Sequence, residues 1–276
     1  DIDIVMPNSA RLRLTGHLEL TADRVRWTGG AIADGTFTHE VRLRNASDVL
    51  FDNVVFEDLD GVNTGQGEFG ARLAFINSSG RMRQNFGFFQ ARYNGSRIKY
   101  SDYIVANCDV DTGYPDGEEF GIRLQRVERV VIVDSRVWNG RKHSIRSHHG
   151  SRDVFVANNQ IEGGSLLTMY ADSQGLDTSP PAYDYLGAHY WYDNELYRVI
   201  GSGGRNIGRG NENVPASAFD GSVVIEGNRA YHPDQTNAGG EPGRRFANPL
   251  LPGDRSIDNI EYPLRTPPAF TGGADH

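Results

Sequence analysis

The chain has 276 residues, a formal net charge of −8, 38% hydrophobic residues and one cysteine, Cys108. That balance excludes the overall basic footprint of a nucleic-acid binder, an intramolecular disulfide and a cysteine-rich metal centre. No run of about 18 apolar residues occurs, so no membrane-spanning helix is expected.

Glycine is abundant, at 33 residues, alongside many Asn, Asp and Ser. Short apolar runs bounded by such turn residues read as all-β. One phrase, an alternating apolar run closed by Asn, Asp or Ser, recurs along the chain. It appears at Val49-Leu50-Phe51-Asp52-Asn53 and at Tyr103-Ile104-Val105-Ala106-Asn107. It returns at Val130-Val131-Ile132-Val133-Asp134-Ser135, Val154-Phe155-Val156-Ala157-Asn158-Asn159, Tyr190-Trp191-Tyr192-Asp193-Asn194 and Val223-Val224-Ile225-Glu226-Gly227-Asn228. The turn positions Asn107, Ser135 and Asn159 are 28 and 24 residues apart. Alternation sends one set of side chains inward and the next outward. A second phrase pairs Gly67–Leu73 with Glu118–Leu124, and Val41-Arg42-Leu43, Ser144-Ile145-Arg146-Ser147 and Ser96-Arg97-Ile98 share its frame. Two or three strands per coil of this length predict a solenoid, since one coil cannot bury its apolar face but a stack can.

This repeat grammar resembles that of right-handed parallel β-helix proteins: pectinases, polysaccharide lyases, epimerases and phage tailspikes. The resemblance covers roughly residues 10–230 and implies an all-β, single-stranded right-handed parallel β-helix. The expected division is a β-helix domain over 1–232, then an irregular Pro/Gly-rich tail over 233–276 that packs along the stack or trails from it. A long loop is expected near 173–187, around Pro180-Pro181.

In this frame Ile122 and Leu124 face inward, so Arg123 faces out, and Arg42, Arg72, Arg97 and Arg146 are expected in the same outward column. Such a column is either a ladder neutralised by nearby acids or an anion-binding groove, because a guanidinium fork matches a carboxylate or sulfate. The densest chemical segment is Arg141–His149. Aligning coils places Arg123 beside Arg146 and Gln125 beside His148, with Thr168 and Tyr170 next in line. Ser144 is expected on the same outer face. β-Elimination at a uronic acid needs a cation for the carboxylate, a base for the α-proton and an acid for the leaving oxygen. Arg146 suits the first, Lys142 or His148 the second and Tyr170 the third. Arg72, Arg97, Arg123, His143, His149, Tyr190 and Tyr192 are the expected substrate contacts, the tyrosines as flat platforms for sugar rings.

The acids Asp109, Asp111, Asp116, Glu118 and Glu119, with Asp134 one coil on, could serve a glycosidase, and Asp109, Asp111, Asp116 and Glu118 could hold Ca²⁺; no cofactor is demanded, and Ca²⁺ is the metal considered. Three functional readings follow. The first is a secreted or surface lyase of an acidic polysaccharide. The second is a non-catalytic glycan-binding or tailspike-like adhesion module, monomeric or trimeric. The third is a glycoside hydrolase.

Overall fold

The computed structural model describes residues 1–64, 70–83, 90–91, 100–112, 120–125, 127–140, 143–148, 151–163, 168–170, 187–197, 208–210, 221, 223–231, 253–263 and 265–273. They form a parallel β-helix, with strands throughout and no helix among the described residues. Successive strands join one of three faces, and each face is a stack of parallel strands. The first and second sheets each hold ten strands, which defines ten coils; the third face consists of two four-stranded sheets, one in coils one to four and one in coils five to eight.

Alternation within each strand fills the lumen. On the first sheet Trp27, Phe51, Phe75, Val105, Ile132, Val156, Trp191 and Ile225 stand in register in successive coils, and all are buried. Phe51 and Phe75 stack at 5.1 Å with ring planes 13° apart. Ile32, Phe56, Val110, Val137, Ile161 and Leu196 supply the second wall, and Val41, Leu43, Val62, Ile122, Leu124 and Ile145 the third. Fully burying one such side chain stabilises by about 1.5–3 kcal/mol.

Corners turn through residues with positive φ. Between the first and second sheets these are Asn53, Asn77, Asn107, Asp134, Asn158, Asp193, Gly227 and Asp258. Asn and Asp tolerate this backbone region better than other side chains. The next residue points into the stack and forms an internal ladder. Asn159, Asn194 and Asn228 each donate from Nδ2 to the Oδ1 of the following asparagine, at 2.8–2.9 Å, and Asn259 closes the series. The sequence frame matched Asn53 and Asn107 to Ser135 and Asn159. The true equivalents one residue on are Val54 and Cys108, which are apolar and so conceal the column.

A second ladder, not anticipated, marks the start of the first sheet. Arg24, Asp48, Arg72, Asp102, Arg129 and Asp153 occupy equivalent positions in consecutive coils, all with φ between 53° and 60°. Their charges alternate, and Asp1 extends the series at its head. Arg24 bonds Asp1 at 2.6 Å, Arg72 makes a two-pronged bond to Asp48, and Arg129 does the same to Asp102 at 2.6 and 3.0 Å. Arg72 therefore belongs to a different face from Arg42, Arg123 and Arg146. The match of Gly67–Leu73 to Glu118–Leu124 fails for the same reason: Gly70–Ile76 runs in the first sheet and Phe120–Gln125 on the third face.

The repeat runs from the first residues of the chain and continues past residue 232. Ile2–Val5 begins the first sheet, and Arg255–Ile257 and Ile260–Tyr262 add a tenth coil within the segment read as irregular. After that coil the chain doubles back across the second sheet. Arg265 lies over the Tyr231 ring at 5.5 Å and Arg136 over the Phe270 ring at 5.6 Å. Gly273 N donates to Asn107 O at 2.9 Å.

Candidate functional site

The third face brings the central part of the expected site together. Phe120–Gln125, His143–His148 and Thr168–Tyr170 lie side by side. Arg123 is paired with Arg146 and Gln125 with His148; Arg146 then pairs with Thr168 and His148 with Tyr170. Parallel strands stand about 4.8 Å apart, so two guanidinium stems project from neighbouring coils with a histidine and a tyrosine two residues along. Ile122, Leu124 and Ile145 point inward and are fully buried, while Arg123 and Arg146 are partly exposed. Burial lowers the pKa of Arg123, the direction expected of a cation drawn out of water.

Two features hold these strands. Gly121 packs so closely that a Cβ would lie 2.4 Å from Ser144 O. From inside, the Ser147 hydroxyl lies 2.7 Å from His189 Nε2, and His189 Nδ1 lies 2.7 Å from Gly187 O. A carbonyl can only accept, so Nδ1 carries the proton, Nε2 accepts and Ser147 donates. Both residues are fully buried. The bond crosses the lumen and fixes the strand segment between Arg146 and His148. Ser144, expected on the outer face, is buried as well, its hydroxyl donating to Glu162 O at 3.2 Å.

The other expected contacts are dispersed. Arg72 is engaged by Asp48 on the first sheet. Tyr190 and Tyr192 face outward on that same sheet, with Trp191 inward as alternation requires, and their rings stack at 6.4 Å and 7°. Arg42 lies on the third face but farther along the stack, bonded through Nε to Glu40 at 2.7 Å. Lys142, Arg97 and His149 lie outside the described residues. His143, His148 and Tyr170 are placed by their backbone register alone.

Sequence reasoning missed a group of ionisable side chains where the second sheet turns into the third face, in coils one to three. Asp34 has 1% of its side chain exposed and lies 2.8 Å from His39 Nδ1. It also accepts from the Thr36 hydroxyl at 2.6 Å and from the amides of Thr38 and His39 at 2.5 and 2.9 Å. Burial works to raise its pKa, but these donors together hold the carboxyl well below the usual carboxylate range. His39 is thereby oriented with Nδ1–H toward Asp34 and Nε2 away from it. The His17 ring meets His39 edge-on at 5.7 Å. Glu40 N donates to His17 Nδ1 at 3.1 Å, and Arg42 Nη2 lies 2.9 Å from His17 Nε2. Burial, followed by the charge of Arg42, lowers the His17 pKa. Asp60 continues the column after His39, donating its amide to His39 O at 2.8 Å. Burial first, then the charge of Glu40, pushes the Asp60 carboxyl up to about 6. One signal could have found this group: Asp34 and His39 fall within a stretch that carries no apolar run, between the strands Ala31–Ala33 and Glu40–Leu43.

Asp109 is occupied by Arg136, at 2.8 Å to Nε, and by Trp138 Nε1 at 3.0 Å. Asp116, Glu118 and Glu119 lie outside the described residues. Among the described residues no three His, Cys, Asp or Glu side chains are grouped to hold a metal ion, and no helix is long and apolar enough to cross a membrane. No family model matches the chain, and no curated protein matches it.

Proposed function

We propose that this chain acts on an acidic polysaccharide along its third face and cleaves it by β-elimination. The observation that supports this most is the pair of arginines, Arg123 and Arg146, stacked in register and partly withdrawn from water. The planar guanidinium fork of each matches a uronate carboxylate. As the carbon beside that carboxylate loses its proton, negative charge moves onto the carboxylate, where fixed guanidinium donors stabilise it most. Lys142 or His148 takes the proton. The electron pair left behind forms the carbon–carbon double bond, the glycosidic carbon–oxygen bond breaks, and the departing oxygen takes a proton from Tyr170. A polymer of this kind lies outside cells, so the reading carries a secreted or surface location with it.

The test is ultraviolet absorbance of an unsaturated uronide after incubation with alginate, pectate, glucuronan, hyaluronan, heparin, chondroitin sulfate or ulvan, with and without Ca²⁺. Absorbance should rise on one substrate. Arg146→Ala should lower turnover by roughly 10²-fold or more with the circular dichroism spectrum unchanged. Full turnover in that variant would remove the arginine pair from the mechanism.

One observation favours a second reading, glycoside hydrolysis. Asp34 and Asp60 have environments that push their pKa values apart, the pattern of a carboxylate and a protonated acid working in one site. New reducing ends without unsaturated product, abolished in Asp60→Asn, would favour it over elimination.

A further inference from the structure

We infer that two copies of this chain pair face to face through the outer surface of the first sheet, about a two-fold axis parallel to its strands. The second sheet presents charged residues outward, such as Glu57, Arg81, Asp111 and Arg136. On the first sheet the outward charges Arg26 and Asp52 lie at one end and Glu226 at the other, with an apolar band between them. Its outward positions Leu50, Ala74, Ile104, Val131, Phe155 and Tyr190 stand in register in coils three to eight. Ile104 is 38% exposed and Phe155 36%. A second row, the partly exposed Ile76, Ala106 and Val133 and the buried Ala157, runs beside it. A continuous apolar surface of this length marks an association site.

The rim chooses the partner. The ladder of alternating Asp and Arg borders this surface on one side, and its members are well exposed, Arg72 at 58% and Arg129 at 52%. A two-fold axis along the strands reverses coil order, so each ladder meets its own copy running the other way. With the axis midway between coils five and six, Asp102 meets Arg129 of the second copy and Arg72 meets Asp153. Unlike charges then face each other in coils four to seven. The same axis sets Ile104 against Val131, the small Ala74 against the large Phe155, and Leu50 against Tyr190. In the second row it sets Ile76 against Ala157 and Ala106 against Val133. Moving the axis onto coil five or coil six would oppose like charges, so the ladder requires an axis between coils, and the apolar band over coils three to eight centres it between five and six, where large residues meet small ones. Six coils about 4.8 Å apart and six residues of extended chain cover roughly 500 Å² per copy, about 1,000 Å² in all, the lower bound for a specific interface. The third face lies on another side of the solenoid, and this pairing leaves it open.

The experiment is native mass by sedimentation equilibrium. The wild-type chain should have twice the mass of one chain. Phe155→Arg should be monomeric with an unchanged circular dichroism spectrum. The ladder gives a sharper check. Asp102→Arg and Arg129→Asp should each be monomeric, because like charges then oppose across the two-fold. An equimolar mixture of those two variants should form a dimer, since each chain then offers what the other lacks. Both chains keep their own broken internal pair, so the rescue reports contact between chains. A wild-type chain that stays monomeric up to millimolar concentration overturns the inference, as does a trimer, or a mixture that fails to associate.

Discussion

Asp34 and Asp60 are carboxyls one coil apart with opposite electrostatic fates, and pH separates them. Asp34 is held ionised by donors that exist only in the folded chain, so its folded pKa lies below its unfolded value. Its contribution is complete above an unfolded pKa of about 3.9 and is lost as pH falls through the lower folded value. Asp34→Ala leaves the Thr38 and His39 amides and the His39 ring without their acceptor, and should cost about 2–4 kcal/mol at neutral pH. Asp60 has the opposite sign. Its folded pKa of about 6 lies above the unfolded value, so the folded chain binds the proton more tightly. Stability from this group is present in acid and declines as pH rises from about 4 through 6. Asp60→Asn should therefore stabilise the chain above about pH 7, by about 1 kcal/mol once half-exposure is discounted, and change little near pH 4. Thermal melts of both variants across that range check the signs; an Asp60→Asn chain less stable at neutral than at acid pH, relative to wild type, would show that the carboxylate is not destabilising. Ser147 offers a different contrast. Its hydroxyl serves His189 inside the lumen, so Ser147→Ala leaves a buried nitrogen without a donor at a cost of about 1–3 kcal/mol, while the outward Arg146 is untouched directly.

At the scale of single elements, the asparagine ladder is a load shared between corners. Asn194 accepts from Asn159, donates to Asn228 and to Val156 O, and is fully buried. Asn194→Ala breaks the chain of side-chain bonds in its middle and should cost about 2–4 kcal/mol in urea unfolding. Asn259→Ala, at the open end, should cost under about 1 kcal/mol. Equal losses at the two positions would mean that the bonds act independently of burial. This ladder also shows how legible the fold is. Alternation at Val130–Val133 and Val154–Ala157 declares strands, and the asparagines at 159, 194 and 228 declare the corner. Coils four and five disguise it, because Ser78 and Cys108 fill the inward slot while Asn77 and Asn107 precede them. The pairing of Arg123 with Arg146, and of His148 with Tyr170, was readable because Ile122 and Leu124 flank Arg123 and Ile145 precedes Arg146, which marks the inward positions of both strands. Arg72 misled because Phe69-Gly70-Ala71-Arg72-Leu73 repeats the words of Phe120-Gly121-Ile122-Arg123-Leu124 on another face. Its φ of 55°, which makes it a corner residue, leaves no mark in the sequence. The Asp34–His39 group was hidden for a related reason: its bonds run among turn residues and between coils, where no periodicity records them.

Across the whole molecule, a solenoid gains stability from contacts between neighbouring coils, so distant coils communicate only through the stack. The segment 265–273 is an exception. It leaves the tenth coil, passes Tyr231 in the ninth, reaches Arg136 in the sixth and ends against Asn107 at the corner of the fifth. Arg136 is held from several sides: Asp109 binds its Nε and Nη2, Trp138 stacks at 4.4 Å and Phe270 at 5.6 Å. Two cation–aromatic contacts of about 0.5–1 kcal/mol each and one backbone bond of about 1 kcal/mol total about 2–3 kcal/mol. At about 2–4 °C per kcal/mol for a large domain, removing residues 265–273 should lower the melting temperature by about 4–12 °C, and Phe270→Ala by a fraction of that. The strap should matter still more for cooperativity than for the midpoint. It ties the late coils to the middle ones, so its loss lets the last coils open before the rest. Calorimetry should then show a broadened or divided transition, and hydrogen exchange should speed up in Arg229–Tyr231 and Ile260–Tyr262 while Val127–Val133 stays protected. A single sharp transition displaced as a whole would mean that the ten-stranded sheets alone transmit order end to end, with the strap adding stability evenly rather than binding one end of the solenoid to its middle.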